Sequence, residues 1–202
     1  MRVKLIISVF CLAVLALNSF HPARIIIPFA GTPLICIQPF NGIPSDLVDH
    51  VFSELKKIYP NIELENSIAL PGSAWYAPRK RYRADSLINY LGRNTKEGRI
   101  TLGLTAKDIS TTKDKYPDWG VMGLGFCPGN ACVVSTFRLK KDDLSDQLFK
   151  VSIHELGHTQ GLDHCPVKTC FMRDAEGGNP TNEEKEFCTK CRSRLEAKGW
   201  KF

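Results

Sequence analysis

Residues 33–38 (Pro-Leu-Ile-Cys-Ile-Gln) form a short apolar run closed by the turn pair Asn41-Gly42, which predicts a buried strand. Leu47, Val48, Val51, Phe52, Leu55 and Ile58 then recur at helical spacing and predict an amphipathic helix over 46–59, with Ser45 as its N-cap. Ile62, Leu64, Ile68 and Leu70 keep even spacing, the period of a second strand with one buried face. A polar, Pro- and Gly-containing stretch leads to a short helix over 84–92, carrying Leu87, Ile88 and Leu91, and to a third strand at 99–105. Residues 106–118 read as a long polar loop. Two further strands, 120–126 and 131–138, are joined by a tight turn after Cys127. From Ser145 or Asp146 a helix runs through Leu148, Val151, Ile153 and Leu156 and ends at Gly161, and an amphipathic stretch over 183–197 closes the chain.

Strands alternating with helices up to residue 161 predict an α/β layer, and the hairpin over 120–138 requires an antiparallel strand in a mixed sheet. The tail is short, loop-rich and rich in cysteine. The expected organisation is one domain over 20–202, with an upper lobe at about 32–160 and a smaller lower lobe at about 161–202.

Composition changes this picture little. The 202 residues are 43% hydrophobic and 24% charged, which is ordinary for a globular protein. The formal net charge is +6, a mild excess to which Arg2 and Lys4 contribute. The basic run Arg79, Lys80, Arg81 and Arg83 reads as a solvated face, and nothing demands nucleic acid as a partner. The N-terminus does add something. Met1 to Lys4 is basic and Leu5 to Leu17 is apolar except for Ser8, a run too short for a comfortable membrane span. It suits an export signal over 1–19, giving a periplasmic or secreted protein, or a membrane anchor where it stays uncleaved.

The eight cysteines are unevenly spread. Cys165, Cys170, Cys188 and Cys191 crowd the last quarter at spacings that suit metal ligands better than a disulfide framework, two disulfides being the competing reading. Cys127 and Cys132 are candidates for a small disulfide across Pro128-Gly129-Asn130, and Cys36 reads as a buried free thiol.

The decisive segment runs from His154 to His164: His-Glu-Leu-Gly-His-Thr-Gln-Gly-Leu-Asp-His. His154 and His158, four apart on a helix, present their imidazoles one turn apart on one face, within reach of one tetrahedral zinc at about 2.0–2.1 Å. Glu155 lies about 100° around the helix from the first histidine and about 60° from the second, facing the metal's open position without occupying it. His164 is the informative residue. On a continuous helix it would be carried about 9 Å along the axis and about 240° around. Gly161 resolves this, since glycine accepts the left-handed conformation that ends a helix and reverses the chain. Three protein ligands with one open position describe a catalytic zinc, whose activated water would lose its proton to Glu155 as general base during peptide-bond hydrolysis.

After the third histidine come Cys165, Cys170 and Met172, then Cys188-Thr189-Lys190-Cys191. Here the chain resembles the archaemetzincins, of the metzincin clan of zinc peptidases. Their pattern joins the extended histidine motif directly to a cysteine, then a second cysteine, a methionine and a CxxC pair. Each element is matched in order, with a slightly shorter stretch between Met172 and Cys188. The stretch from Cys132 to Leu139 is also similar to the family's strand before the active-site helix. The resemblance implies a zincin-like α/β fold and peptide or protein substrates, with aminopeptidase-like action among the options. It implies a structural zinc on Cys165, Cys170, Cys188 and Cys191 beside the catalytic one, hence two Zn2+ per chain, with Met172 in a turn beneath the catalytic metal. It also implies an antiparallel edge strand, by position 120–126, that pairs with extended substrate. The expected state is a monomer. The alternative is a non-catalytic, zinc-stabilised binding module with a vestigial cleft, against which the retained Glu155 weighs.

Overall fold

The computed structural model describes residues 31–202, so the export-like segment 1–19 lies outside the described residues. Among them no helix is long and apolar enough to cross a membrane. The chain runs β1 (Leu34–Pro39), α1 (Ser45–Ile58), β2 (Ile62–Leu64), β3 (Trp75–Tyr76), β4 (Arg81–Arg83), α2 (Ala84–Asn94), β5 (Arg99–Thr105), β6 (Ile109–Lys113), β7 (Tyr116–Val121), β8 (Gly123–Gly125), β9 (Ala131–Ser135), α3 (Leu144–Thr159) and α4 (Thr189–Glu196).

Five strands form the main sheet in the order β2-β1-β5-β9-β8. Its internal pairs are parallel except the last, where β8 runs antiparallel to β9 at the edge. The expected mixed sheet with one antiparallel edge strand is therefore present. β9 is buried along its whole length because both faces are covered. Cys132 and Val134 point into the core beneath α1 and α3, and Ala131 and Val133 point into the core beneath α2. α1 lays Leu47, Val48, Val51 and Leu55 on the first of these cores, each burial worth about 1.5–3 kcal/mol. α3 packs its Leu148, Ile153 and Leu156 on the same side, so the histidine motif rides on a helix fixed to the sheet.

Several local expectations need correction. α1 begins at Ser45 itself, with Pro44 at the cap position and no side-chain cap; Asp46 in the first turn and Lys56 and Lys57 in the last complement its dipole instead. The strand expected through Leu70 stops at Leu64, and Ile68 makes only an isolated bridge to Phe40. The largest difference is a second sheet, β3-β4-β6-β7. The supposed loop 106–118 is mostly the hairpin β6–β7, whose polar residues hide the strand period and whose turn uses Asp114 at φ +50°. The strand expected over 120–126 is split: Gly120 and Val121 end β7 in the second sheet, and Gly123–Gly125 forms β8 in the first. The basic run is not a solvated face throughout, since Arg81 and Arg83 are ion-paired with Asp108, Asp118 and Asp85. The amphipathic tail is helical only over Thr189–Glu196.

The candidate Cys127–Cys132 disulfide is absent, and both thiols are free. Cys132 points into the sheet core while Cys127 is exposed beyond the end of β8, on the far side of the turn closed by the Phe126–Ala131 bond. Cys36 is a buried free thiol, as its apolar surroundings predict.

Candidate active site and metal centres

α3 ends where Gly161 adopts φ +82°. The Gly161 N–H bonds the His158 carbonyl and the Leu162 N–H bonds the Gly157 carbonyl, the paired closure of a Schellman turn. The chain reverses there, and His164 returns toward the helix it has just left. Its ring centroid lies 5.4 Å from that of His154 and 4.9 Å from that of His158. One potential ligand atom from each of the three imidazoles falls within 4.8 Å of the others.

Backbone carbonyls set the orientation of the first two rings. His154 donates from Nδ1 to the Phe171 carbonyl at 2.6 Å, and His158 donates from Nδ1 to the Leu162 carbonyl at 2.7 Å. Both tautomers are thereby fixed with unprotonated Nε2 atoms facing each other at 3.0 Å. Two nitrogens bound at about 2.05 Å to one tetrahedral ion would stand about 3.3 Å apart, so the rings need to part by only a few tenths of an ångström. Burial, with the repulsion of neighbouring imidazoles, lowers the pKa of His154 to about 3, and burial also lowers that of His158. Both are held neutral, as ligands must be. His164 is the accessible member, its side chain 47% exposed, with Nδ1 3.3 Å from an Asp174 carboxylate oxygen. Asp174 was not singled out from the sequence; only the closing of the loop after Met172 places it there.

Glu155 is buried at the back of a cleft of about 640 Å³ that the three histidines also line. Burial pushes its carboxyl up to about 8, and a cation held by the neighbouring imidazoles would draw it back down. β8 makes room for it. A Cβ on Gly123 would stand 2.6 Å from Glu155 Oε1 and 2.7 Å from Cγ, so only glycine lets the strand approach so closely. Gly123→Ala is expected to displace the carboxylate and lower kcat/KM by about 10- to 100-fold, since a misplacement of about 1 Å costs up to that much. Steady-state kinetics beside zinc analysis checks this, and the metal content should not change.

Met172 lies fully buried beneath α3, where a Cβ on Gly157 would come within 2.3 Å of its sulfur. Gly157 is therefore the opening through which the methionine meets the helix. Met172 sits in a turn closed by the Arg173 N–H on the Cys170 carbonyl at 2.9 Å, and the Cys165 N–H bonds the Met172 carbonyl at 2.7 Å.

The lower lobe gathers Cys165, Cys170, Cys188 and Cys191, whose sulfurs all lie within 4.8 Å of one another. Cys165 and Cys188 are 3.7 Å apart, far beyond a bonded pair at about 2.05 Å and close to the spacing of about 3.8 Å for two sulfurs at 2.3 Å from a tetrahedral ion. All four are free thiols, gathered at one point rather than joined in two bonded pairs. Burial opposes ionisation of Cys188, yet hydrogen bonds from Cys191 and the neighbouring thiols draw it down to about 7. Burial pushes Cys170 and Cys191 up. Thiols crowded at such spacing favour ionisation once a cation is among them, so the donor set fits zinc.

Comparison with known proteins agrees with this geometry. The family model "Peptidase family M54" matches residues 34–197. The archaemetzincin of Methanopyrus kandleri is 31% identical over 170 residues, covering 80% of this chain and 95% of the relative. That of Haloquadratum walsbyi is 27% identical over 176 residues, covering 80% and 99%. Among solved structures, Methanopyrus kandleri archaemetzincin superposes with a TM-score of 0.71 at 28% identity, over 85% of this chain and 98% of that one. Archaeoglobus fulgidus archaemetzincin, complexed with malonate, gives 0.68 at 27% identity, over 79% and 98%. A family match that spans both lobes, on a fold that brings three imidazoles and four thiols to two points, shows that this chain belongs to Peptidase family M54, the archaemetzincins, and is a zinc metallopeptidase.

Proposed function

We propose that the chain hydrolyses peptide bonds with Glu155 as general base, holding its catalytic zinc on His154, His158 and His164 and a structural zinc on Cys165, Cys170, Cys188 and Cys191. The observation that carries this reading is the buried Glu155 carboxyl in the same cleft as two Nε2 atoms that face each other at 3.0 Å. When bound, the catalytic zinc supplies Lewis-acid chemistry, acidifying water to a pKa of about 7 and polarising a carbonyl. Glu155 accepts the attacking water's proton at its carboxylate and hands it to the leaving amine. The Phe171 and Leu162 carbonyls and Asp174 hold the three imidazoles in register, and β8, as the edge of the main sheet, offers backbone groups to an extended substrate.

A binding module without catalysis is the second reading. A buried ionisable group beside an open metal position costs stability and gains nothing for mere binding, which favours the enzyme. The export reading over 1–19 rests on the basic start and the apolar run, and the catalytic unit would then be 20–202. Metal removal tests the chemistry. A chelator that strips the histidine site should abolish cleavage of a mixed peptide substrate, and zinc should restore it. Cleavage persisting in zinc-free protein would exclude this mechanism.

A further inference from the structure

One wall of the cleft carries a carboxylate for which the proposed chemistry has no use. Glu184 lines the cleft together with Val151 and Thr181. Val151 lies on α3, three residues before His154 and on the same face, which sets this wall beside the imidazoles. Glu184 is only 4% exposed, and among the described residues no hydrogen bond or ion pair reaches its carboxylate. The groups that could serve it are engaged elsewhere. Lys150 donates to the Thr181 carbonyl at 2.9 Å and pairs with Asp146 at 2.9 Å. Arg173 pairs with Glu183 at 2.7 Å, and the Thr181 hydroxyl donates to Asn179 Oδ1.

A buried carboxylate without a partner is costly to keep. Burial pushes its pKa up to about 7; Lys150 and Arg173 pull against this, and Glu183 adds to it. The other carboxylates of the cleft have work: Asp174 meets His164, and Glu155 is the proposed base. Lys150 and Arg173 act on Glu184 only from a distance, and because Glu184 lines the cleft, an ammonium carried by a substrate can reach it.

We propose that Glu184 anchors a primary ammonium group of the peptide substrate, from a lysine side chain or the free N-terminus, beside the bond to be cut. This rests on the peptidase reading above and adds a selectivity to it. An ammonium seated there would restore the charge pairing that the folded wall lacks, whereas an uncharged side chain of equal length would leave the carboxylate stranded.

The test uses the zinc-loaded full chain carrying Glu155→Ala, so that bound peptide stays intact. N-acetylated alanine hexapeptides bearing one lysine or one norleucine at each position are titrated, together with all-alanine hexapeptide in free and acetylated forms. Lysine binding about tenfold more tightly than norleucine at one position would assign a side-chain ammonium. Free peptide binding about tenfold more tightly than acetylated would assign the terminus. In either case adding Glu184→Gln should erase the preference, and Glu184→Asp should keep part of it. Equal affinity within every pair, or a preference that survives Glu184→Gln, overturns the proposal. Because binding is read without turnover, failure here is separate from failure of the peptidase reading, which shows as absent peptide cleavage by the zinc-loaded wild-type chain.

Discussion

Replacing Glu155 with alanine should lower kcat/KM on peptides by at least about 100-fold, about 2.7 kcal/mol of transition-state stabilisation, while the chain keeps its zinc. The separation follows from position. Glu155 lies between the two helical histidines in sequence but about 100° and 60° from them around α3, so it shares their neighbourhood and not their coordination. None of the contacts that orient the rings involves it: Phe171 and Leu162 hold His154 and His158, and Asp174 meets His164. Stability should respond in the opposite sense to activity. The carboxyl is buried and its pKa is pushed up to about 8, so the isosteric Glu155→Gln variant should be no less stable than the parent in thermal unfolding. Loss of zinc along with activity would point to a ligand or structural role instead.

Cys188→Ser should remove one zinc of two and loosen the lower lobe. Zinc at a four-thiolate site contributes an apparent binding free energy of about 10–16 kcal/mol in small zinc domains, comparable with the whole stability of about 5–15 kcal/mol of an ordinary protein. Cys165 follows His164 directly and Cys170 lies two residues before Met172, so slack in the thiol cluster reaches both the third imidazole and the turn beneath the helix. A loss of about 4 kcal/mol would lower the Tm by about 10 °C in a chain of this size. Differential scanning calorimetry with metal analysis checks both parts. Activity should survive in part at low temperature, because the histidine cluster does not use these thiols. An unchanged Tm and two zincs in the variant would contradict a structural metal there.

What could be read from the sequence was what depends on short-range geometry. The histidine pair follows from the helical period, the return of His164 from one glycine, and the cysteine cluster from its spacings. β1, α1, β5 and α3 announced themselves through buried apolar positions. The second sheet did not, because β3 and β4 are too short to show a period and the polar residues of β6 and β7 hide theirs. Its ion pairs join residues far apart in sequence, such as Arg81 with Asp108 and Asp118. Asp174 and Glu184 were illegible for the same reason: each owes its place to the loop between Met172 and Cys188 folding back over the cleft. Gly123 and Gly125 were visible as strand residues, but their purpose, admitting the Glu155 carboxylate, appears only when β8 lies against α3.

The central claim is that Gly161 turns the chain so that His164 completes a metal site begun on α3, and zinc counting tests it most directly. Purified chain should hold two zincs, and His164→Ala should hold one, on the thiols, with peptide cleavage lost. A His164→Ala protein that keeps both zincs and still cleaves peptides would contradict the account.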